Sequence, residues 1–269
     1  MRQLPRFQFR ESAFQSPFCK CPTANCNLSV SPITGKPKLA IAAFLLSLIM
    51  VEISCRGLLF DLDGVLVDST PAVARVWTKW ALAHGFDPEE TVRKAHGRPS
   101  LTTIKELLPN AADPIAENQV VLRGEIEDTD GIVPLPGVCD FLKALPQNRW
   151  ALVTSCSKPL AHVRLSAAGI PIPEKIVTSD DVQHGKPDPE PYLKGAALLG
   201  LPASECVVFE DAPAGIRAGK AAGARVVALP TSSPENELKS SGADWVLPGY
   251  AHLSVMSANG FPGLKLRLR

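Results

Sequence analysis

Two aspartates two residues apart, Asp61 and Asp63, leave the end of an apolar run, and Gly64 and Asp68 follow them (FDLDGVLVDS). Within a strand such acids share a face; at its end the backbone turns and separates them, and Gly64 permits the tight turn. Two exposed turn acids are the ordinary reading. Acids gathered at the end of a buried strand are better explained by metal or phosphoryl chemistry. A second pair, Glu210 and Asp211, ends another apolar run (VVFEDAPAG). If the two strands are neighbours, Asp211 comes near Asp61, and carboxylates held close repel unless a cation neutralises them. Hard oxygen ligands suit Mg²⁺, which takes one or two carboxylates and keeps waters or phosphate oxygens.

Lys186 lies in a loop braced by Gly185 and Pro187 (GKPDPEPY). A lysine there is ordinarily solvated. Near the carboxyl ends of strands it would hold an anionic phosphate and offset the carboxylates. Thr154 and Ser155 end a further apolar run and precede a helix. They read either as helix caps or as hydroxyl and backbone donors to a phosphoryl oxygen. Each signal alone is moderate. Their order, D-x-D-G, T-S, G-K-P and E-D, each at or just past a candidate strand end, is what makes them specific.

The elements that must position these residues alternate. Strand-like runs are expected at 56–62, 150–154, 175–178, 205–209, 224–229 and 244–247, with Val51–Ile53 opening the first of them. Helical stretches at 159–168, 189–199 and 213–222 end at Gly169, Gly200 and Gly223. Alternation with short links predicts an α/β fold, a Rossmann-like parallel sheet wrapped by helices. The stretch from Thr70 to Ile132 is too long for one crossover, and 72–84, 100–108 and 115–126 have helical periodicity. It is read as an inserted α-helical cap over the carboxyl ends of the strands, where open parallel sheets bind ligands. The division expected is an N-terminal extension at 1–52, a core at 53–69 and 133–255, a helical cap at 70–132 and a C-terminal tail at 256–269.

Composition sets bounds. The chain has 269 residues, 45% hydrophobic and 20% charged, with a net charge of +1. That fits a globular protein and argues against nucleic acid or an acidic membrane surface as partner. No apolar run reaches the ~18–20 residues of a membrane span. Residues 1–50 carry six basic residues and one acid, and five prolines interrupt them. Three readings of this segment compete: a secretory signal, an organellar transit peptide, or a start assigned upstream of Met50. The third is preferred, with a cytoplasmic monomer expected. Cys19, Cys21 and Cys26 complete no metal-ligand set, and Cys55, Cys139, Cys156 and Cys206 are expected as reduced thiols.

From about Ile53 to Val255 the chain resembles the haloacid-dehalogenase-like hydrolase superfamily, through FDLDGVLVDS, ALVTS, GKPDPEPY and VVFEDAPAGI. Within it, GKPDPEPYLKG and FEDAPAGIRAGKAAG most resemble the glycerol-phosphate and sugar-phosphate phosphatase branch, whose cap the helical insert matches. The resemblance implies a Mg²⁺-dependent phosphatase acting on a small phosphorylated sugar or polyol. Asp61 would be the nucleophile forming an aspartyl phosphate, and Asp63 the general acid and base. Thr154 or Ser155 would bind the phosphoryl group and Lys186 would steady it. Asp61, Asp211 and the Asp63 carbonyl would hold the metal, with Glu210 beside them. In the cap, His96, Arg98 and Glu125 are the candidate substrate contacts, while Trp77, Trp80 and Phe86 are expected to pack.

The rival is a β-phosphoglucomutase-like phosphotransferase. Its histidine falls at Val73 and its cap arginine at Ser100, and both departures favour hydrolysis. A binding-only protein would be marked by loss of Asp61, Asp63, Lys186 or Asp211, and all four are present.

Overall fold

The computed structural model describes residues 50–96, 98–256 and 263–269. The expectations for Cys19, Cys21, Cys26 and the apolar run before Met50 lie outside these residues, as does Gly97. The strands are β1 (Val51–Cys55), β2 (Gly57–Phe60), β3 (Val67–Asp68), β4 (Val133–Pro134), β5 (Trp150–Val153), β6 (Ile176–Val177), β7 (Cys206–Glu210), β8 (Arg225–Ala228), β9 (Trp245–Val246), β10 (Leu253–Met256) and β11 (Leu264–Leu268). The helices are α1 (Thr70–His84), α2 (Pro88–Ala95), α3 (Ser100–Leu107), α4 (Pro114–Glu127), α5 (Val138–Lys143), α6 (Lys158–Ala167), α7 (Glu190–Leu198), α8 (Pro213–Ala221) and α9 (Glu235–Ser240).

Six strands form a parallel sheet in the order β6-β5-β2-β7-β8-β9. After β2 the chain builds outward through β5 and β6, then returns to the other side of β2 with β7. That reversal leaves a crevice at the carboxyl end of β2, where ligands of such sheets bind. Phe60 is registered with Leu152 on one side and Phe209 on the other. The residues that follow all three strands therefore meet at one edge. Every residue of β2, β5 and β7 is buried, as strands covered on both faces require.

One face of the sheet carries Phe60, Phe141, Phe209 and Tyr250, packed ring against ring at 4.9–6.5 Å. The other carries Leu59, Val208, Tyr192 and Ile216. A third core belongs to the insert, where Trp77, Trp80, Ala95, Ile104 and Val121 pack together. Trp80 stacks on Phe86 at 5.8 Å. Helix α2 was not expected from periodicity, because its surface is mostly charged (PEETVRKA). Its start signals are plain in retrospect: the Asp87 carboxylate accepts from the Glu90 N–H at 2.7 Å, and Pro88 opens the first turn.

Two boundaries are corrected. Val51–Ile53 does not open the core strand: β1 pairs antiparallel with β11, and the core strand starts at Gly57. The reason is visible in burial. Glu52 and Ser54 are exposed while Ile53 and Cys55 are buried, the alternation of a half-covered antiparallel strand. Strand β1 therefore also takes Val51 and Glu52 from the expected 1–52 extension. The 256–269 segment is likewise not a tail. Leu264, Leu266 and Leu268 point inward from β11, which lies between β1 and β10. Among the described residues no helix is long and apolar enough to cross a membrane. The four described cysteines form no disulfide.

Candidate active site

Asp61 follows β2 and Asp211 follows β7, the neighbouring strand. Carboxylate oxygens of Asp61, Glu210 and Asp211 lie within 4.8 Å of one another, all in buried or nearly buried positions. Their closeness depends on two glycines. Gly64 has φ +72°, a left-handed value that suits glycine, and a Cβ there would sit 1.9 Å from Asp211 Oδ2. A Cβ on Gly215 would sit 1.6 Å from Glu210 Oε1.

Lys186 reaches this cluster from the loop before α7. Its Nζ donates to Asp61 Oδ1 at 2.5 Å, to Glu210 Oε1 at 2.7 Å and to the Val153 carbonyl at 3.1 Å. It lies 5.0 Å from the centre of the Tyr192 ring. The two buried carboxylates raise its pKa against the effect of burial, so it stays charged. Glu210 is fully spent on the protein. Oε1 also accepts from the Tyr192 hydroxyl at 2.6 Å, and Oε2 accepts from the Asp211 and Ala212 N–H groups.

Asp211 is different: no ion pair reaches it among the described residues, and the Thr231 hydroxyl stands 3.5 Å from its Oδ2. Burial, then the charges of Glu210 and Asp61, push its carboxyl well above the usual range. Burial also lifts Asp61, against the pull of Lys186, to about 7. Two adjacent carboxyls that resist ionising are a site short of positive charge. That is the donor set a hard divalent cation fits.

Asp63 has other partners. Oδ1 accepts from the Ser69 hydroxyl at 2.5 Å, and Oδ2 accepts from Arg164 at 2.6 Å and from the Cys156 thiol at 3.1 Å. Burial acts to raise its pKa, but Arg164 and these hydrogen bonds outweigh it and hold the carboxyl below the usual range. Arg164 and Cys156 were not expected here. Arg164 lies on α6 among Leu160, Ala161 and Leu165, the buried side of that helix. A basic residue on an otherwise apolar helix face was the signal available.

Thr154 is buried at the end of β5, and its Oγ1 accepts from the Cys156 N–H at 3.1 Å. Ser155, half-buried, follows it. Both line a cavity of about 540 Å³ together with Asp61, Asp63, Lys186 and Asp211. The opposite wall comes from the insert and includes His96, Arg98 and Glu125. His96 is partly buried, which lowers its pKa and keeps the ring neutral. Arg98 pairs with Glu106 at 2.6 Å. Glu125 lines the cavity, but its oxygens are taken by Trp77 Nε1 at 3.1 Å and Arg164 Nη2 at 3.3 Å. Glu125 thus joins insert and core through an ion pair while it lines the cavity.

A parallel sheet with paired acids after its central strands, a buried lysine beside them and a helical insert across the cavity defines a class of hydrolase. The chain belongs to that class by direct comparison: the family model for haloacid dehalogenase-like hydrolases matches residues 55–223. Hexitol phosphatase A of Escherichia coli is 44% identical over 205 residues, 75% of this chain and 94% of that protein. Glycerol-1-phosphate phosphohydrolase 1 of Saccharomyces cerevisiae is 36% identical over 241 residues, 85% of this chain and 90% of that one. Among solved structures, CbbY from Rhodobacter sphaeroides in complex with phosphate has a TM-score of 0.65 at 26% identity, covering 73% of this chain and 95% of that one.

Proposed function

We propose that the protein is a Mg²⁺-dependent phosphatase for small sugar or polyol monophosphates that works through an aspartyl phosphate on Asp61. The observation that carries this reading is the Asp61 carboxylate. One oxygen is fixed by Lys186 at 2.5 Å, and the carboxylate lies beside Asp211 against the cavity. A carboxylate held by one oxygen keeps the other for attack. The named activities of the hexitol and glycerol phosphatases agree with it.

The insert acts as the cap, and His96 and Arg98 face the sugar or polyol from it. Asp63, whose carboxyl Arg164 holds below the usual range, takes up a proton from solvent as it turns from Arg164 to the leaving oxygen. The free oxygen of Asp61 attacks phosphorus, and the substrate's alkoxide leaves with that proton. Water then gives a proton back to Asp63 and attacks phosphorus, which frees phosphate and restores Asp61. The Thr154 and Ser155 hydroxyls and Lys186 donate to the phosphoryl oxygens. Asp61, Asp211 and the Asp63 carbonyl would hold Mg²⁺, which supplies charge neutralisation at the transferring group. Glu210, with four donors on its two oxygens, positions Lys186 and the backbone of Asp211.

The mutase rival loses support at the cavity wall. Val73 and Ser100 both line it, and the Ser100 hydroxyl is spent on Asn118 at 2.6 Å. The test is phosphate release from glycerol 1-phosphate, sorbitol 6-phosphate and hexose phosphates, with Mg²⁺ and with chelator. Metal-dependent release is expected. Isomerisation of glucose 1-phosphate without release would instead establish a mutase.

A further inference from the structure

Arg164 is shared between two parts of the molecule. It sits on core helix α6 and is 5% exposed. One N–H goes to the core, from Nη1 to Asp63 Oδ2 at 2.6 Å. Another goes to the insert, from Nη2 to Glu125 Oε2 at 3.3 Å. Neither carboxylate takes the two-bond fork that arginine offers, and Nε has no hydrogen-bond partner. Nη1 also donates to the Cys156 sulfur at 3.0 Å. The guanidinium therefore has a spare donor at Nε, two carboxylates competing for it and one weak sulfur acceptor.

Asp63, in turn, has both oxygens filled by Ser69, Arg164 and Cys156. It can exchange a proton with a leaving alkoxide or with water only by giving up some of these bonds. If Asp63 were the sole partner of Arg164, its departure would strand a buried cation, which is strongly unfavourable. Glu125 removes that obstacle. It is itself 7% exposed and is held in place by Trp77 Nε1, so a compensating charge stays on Arg164 when Asp63 turns to the substrate.

We propose that Arg164 is a positioning residue for Asp63, and that Glu125 of the insert is the counter-charge that allows Asp63 to leave it. Asp63 is then free to work only when the insert is seated on the core, because the insert supplies Glu125. The proposal rests on the phosphatase reading above.

The test compares two phosphates on the full chain with Mg²⁺. Sorbitol 6-phosphate has an alkoxide leaving group that needs a proton; p-nitrophenyl phosphate has one that does not. Wild type must first turn over the polyol phosphate. If it does not, the best-turned-over sugar or polyol phosphate of the panel above takes its place; if none is turned over, the phosphatase reading fails and this proposal falls with it. Given turnover, Glu125→Gln is expected to lower kcat on sorbitol 6-phosphate about tenfold with KM within twofold. First-turnover release of p-nitrophenolate should fall less than threefold. Arg164→Lys, which keeps the charge and loses the two separate Nη donors to Asp63 and Glu125, should show the same split, and it decides the matter if Glu125→Gln does not fold. Equal losses on both phosphates, a loss confined to KM, or no loss would each overturn the proposal.

Discussion

The two walls of the cavity are built on different terms. On the sheet side, charges are buried and pinned to one another. Lys186 has three acceptors, Glu210 has four donors, and two glycines are needed for the fit. On the insert side the polar groups are loosely committed. Arg98 pairs with Glu106 at a partly exposed position, and the His96 ring has no hydrogen-bond partner among the described residues. A reacting phosphoryl group tolerates little displacement, so the groups that meet it are over-determined. On the proposed reading a polyol or sugar can be gripped in more than one way, and the insert wall that would meet it is correspondingly free to vary.

The largest test of this contrast is Asp61→Asn. It should lower phosphate release at least about a thousandfold. Thermal melts should show the fold intact, since the change removes an ionisation that burial already disfavours. Lys186→Met comes next. Removing the cation leaves Asp61 and Glu210 buried and unpaired, so turnover should vanish and stability fall by about 3–5 kcal/mol. Calorimetry should then read a drop in Tm of roughly 10 °C.

The third test uses pH on metal-free protein. The Asp61 carboxyl is raised from 3.8 to about 7 and that of Asp211 is raised as well. Between about pH 4 and 7 the folded protein therefore holds protons that the unfolded chain releases, and stability falls as pH rises through that window. Asp63, with a lowered pKa, has the opposite sign, and its contribution is lost only in more acidic solution. Tm should be higher at pH 5 than at pH 7.5, and both Mg²⁺ and Asp211→Asn should shrink the difference. A flat profile would count against the charge-deficient cluster. The smallest effects belong to the insert wall. His96→Ala and Arg98→Ala should each raise KM for a polyol phosphate roughly three- to tenfold with kcat little changed. A collapse of kcat in either would erase the distinction between the walls.

Much of the sheet side was legible in the sequence. Strands buried on both faces read as apolar runs, and the placement of Asp61, Thr154 and Asp211 just past their carboxyl ends follows directly. The loop lysine, Lys186, was found through its Gly and Pro neighbours. Arg164 was missed because a buried arginine and a solvated one look alike until the helix face is drawn, when Leu160, Ala161 and Leu165 surround it. For Glu125 the sequence cannot show that Trp77 and Arg164, from two other helices, donate to its oxygens. Strand β11 was missed although LKLRL alternates cleanly. Its alternation spans only five residues, and one of its partners, β1, lies far away in sequence.

That pairing has a practical consequence. Val51 is registered with Leu268, so the first and last strands among the described residues run side by side. In a chain cut to residues 51–269, a short linker from Arg269 to Val51 would join those ends, and new ends could be opened in an exposed loop elsewhere. Deleting Leu264–Leu268 would do the reverse. It would bare the edges of β1 and β10 together, and two unpaired strand edges invite other copies to dock there and precipitate.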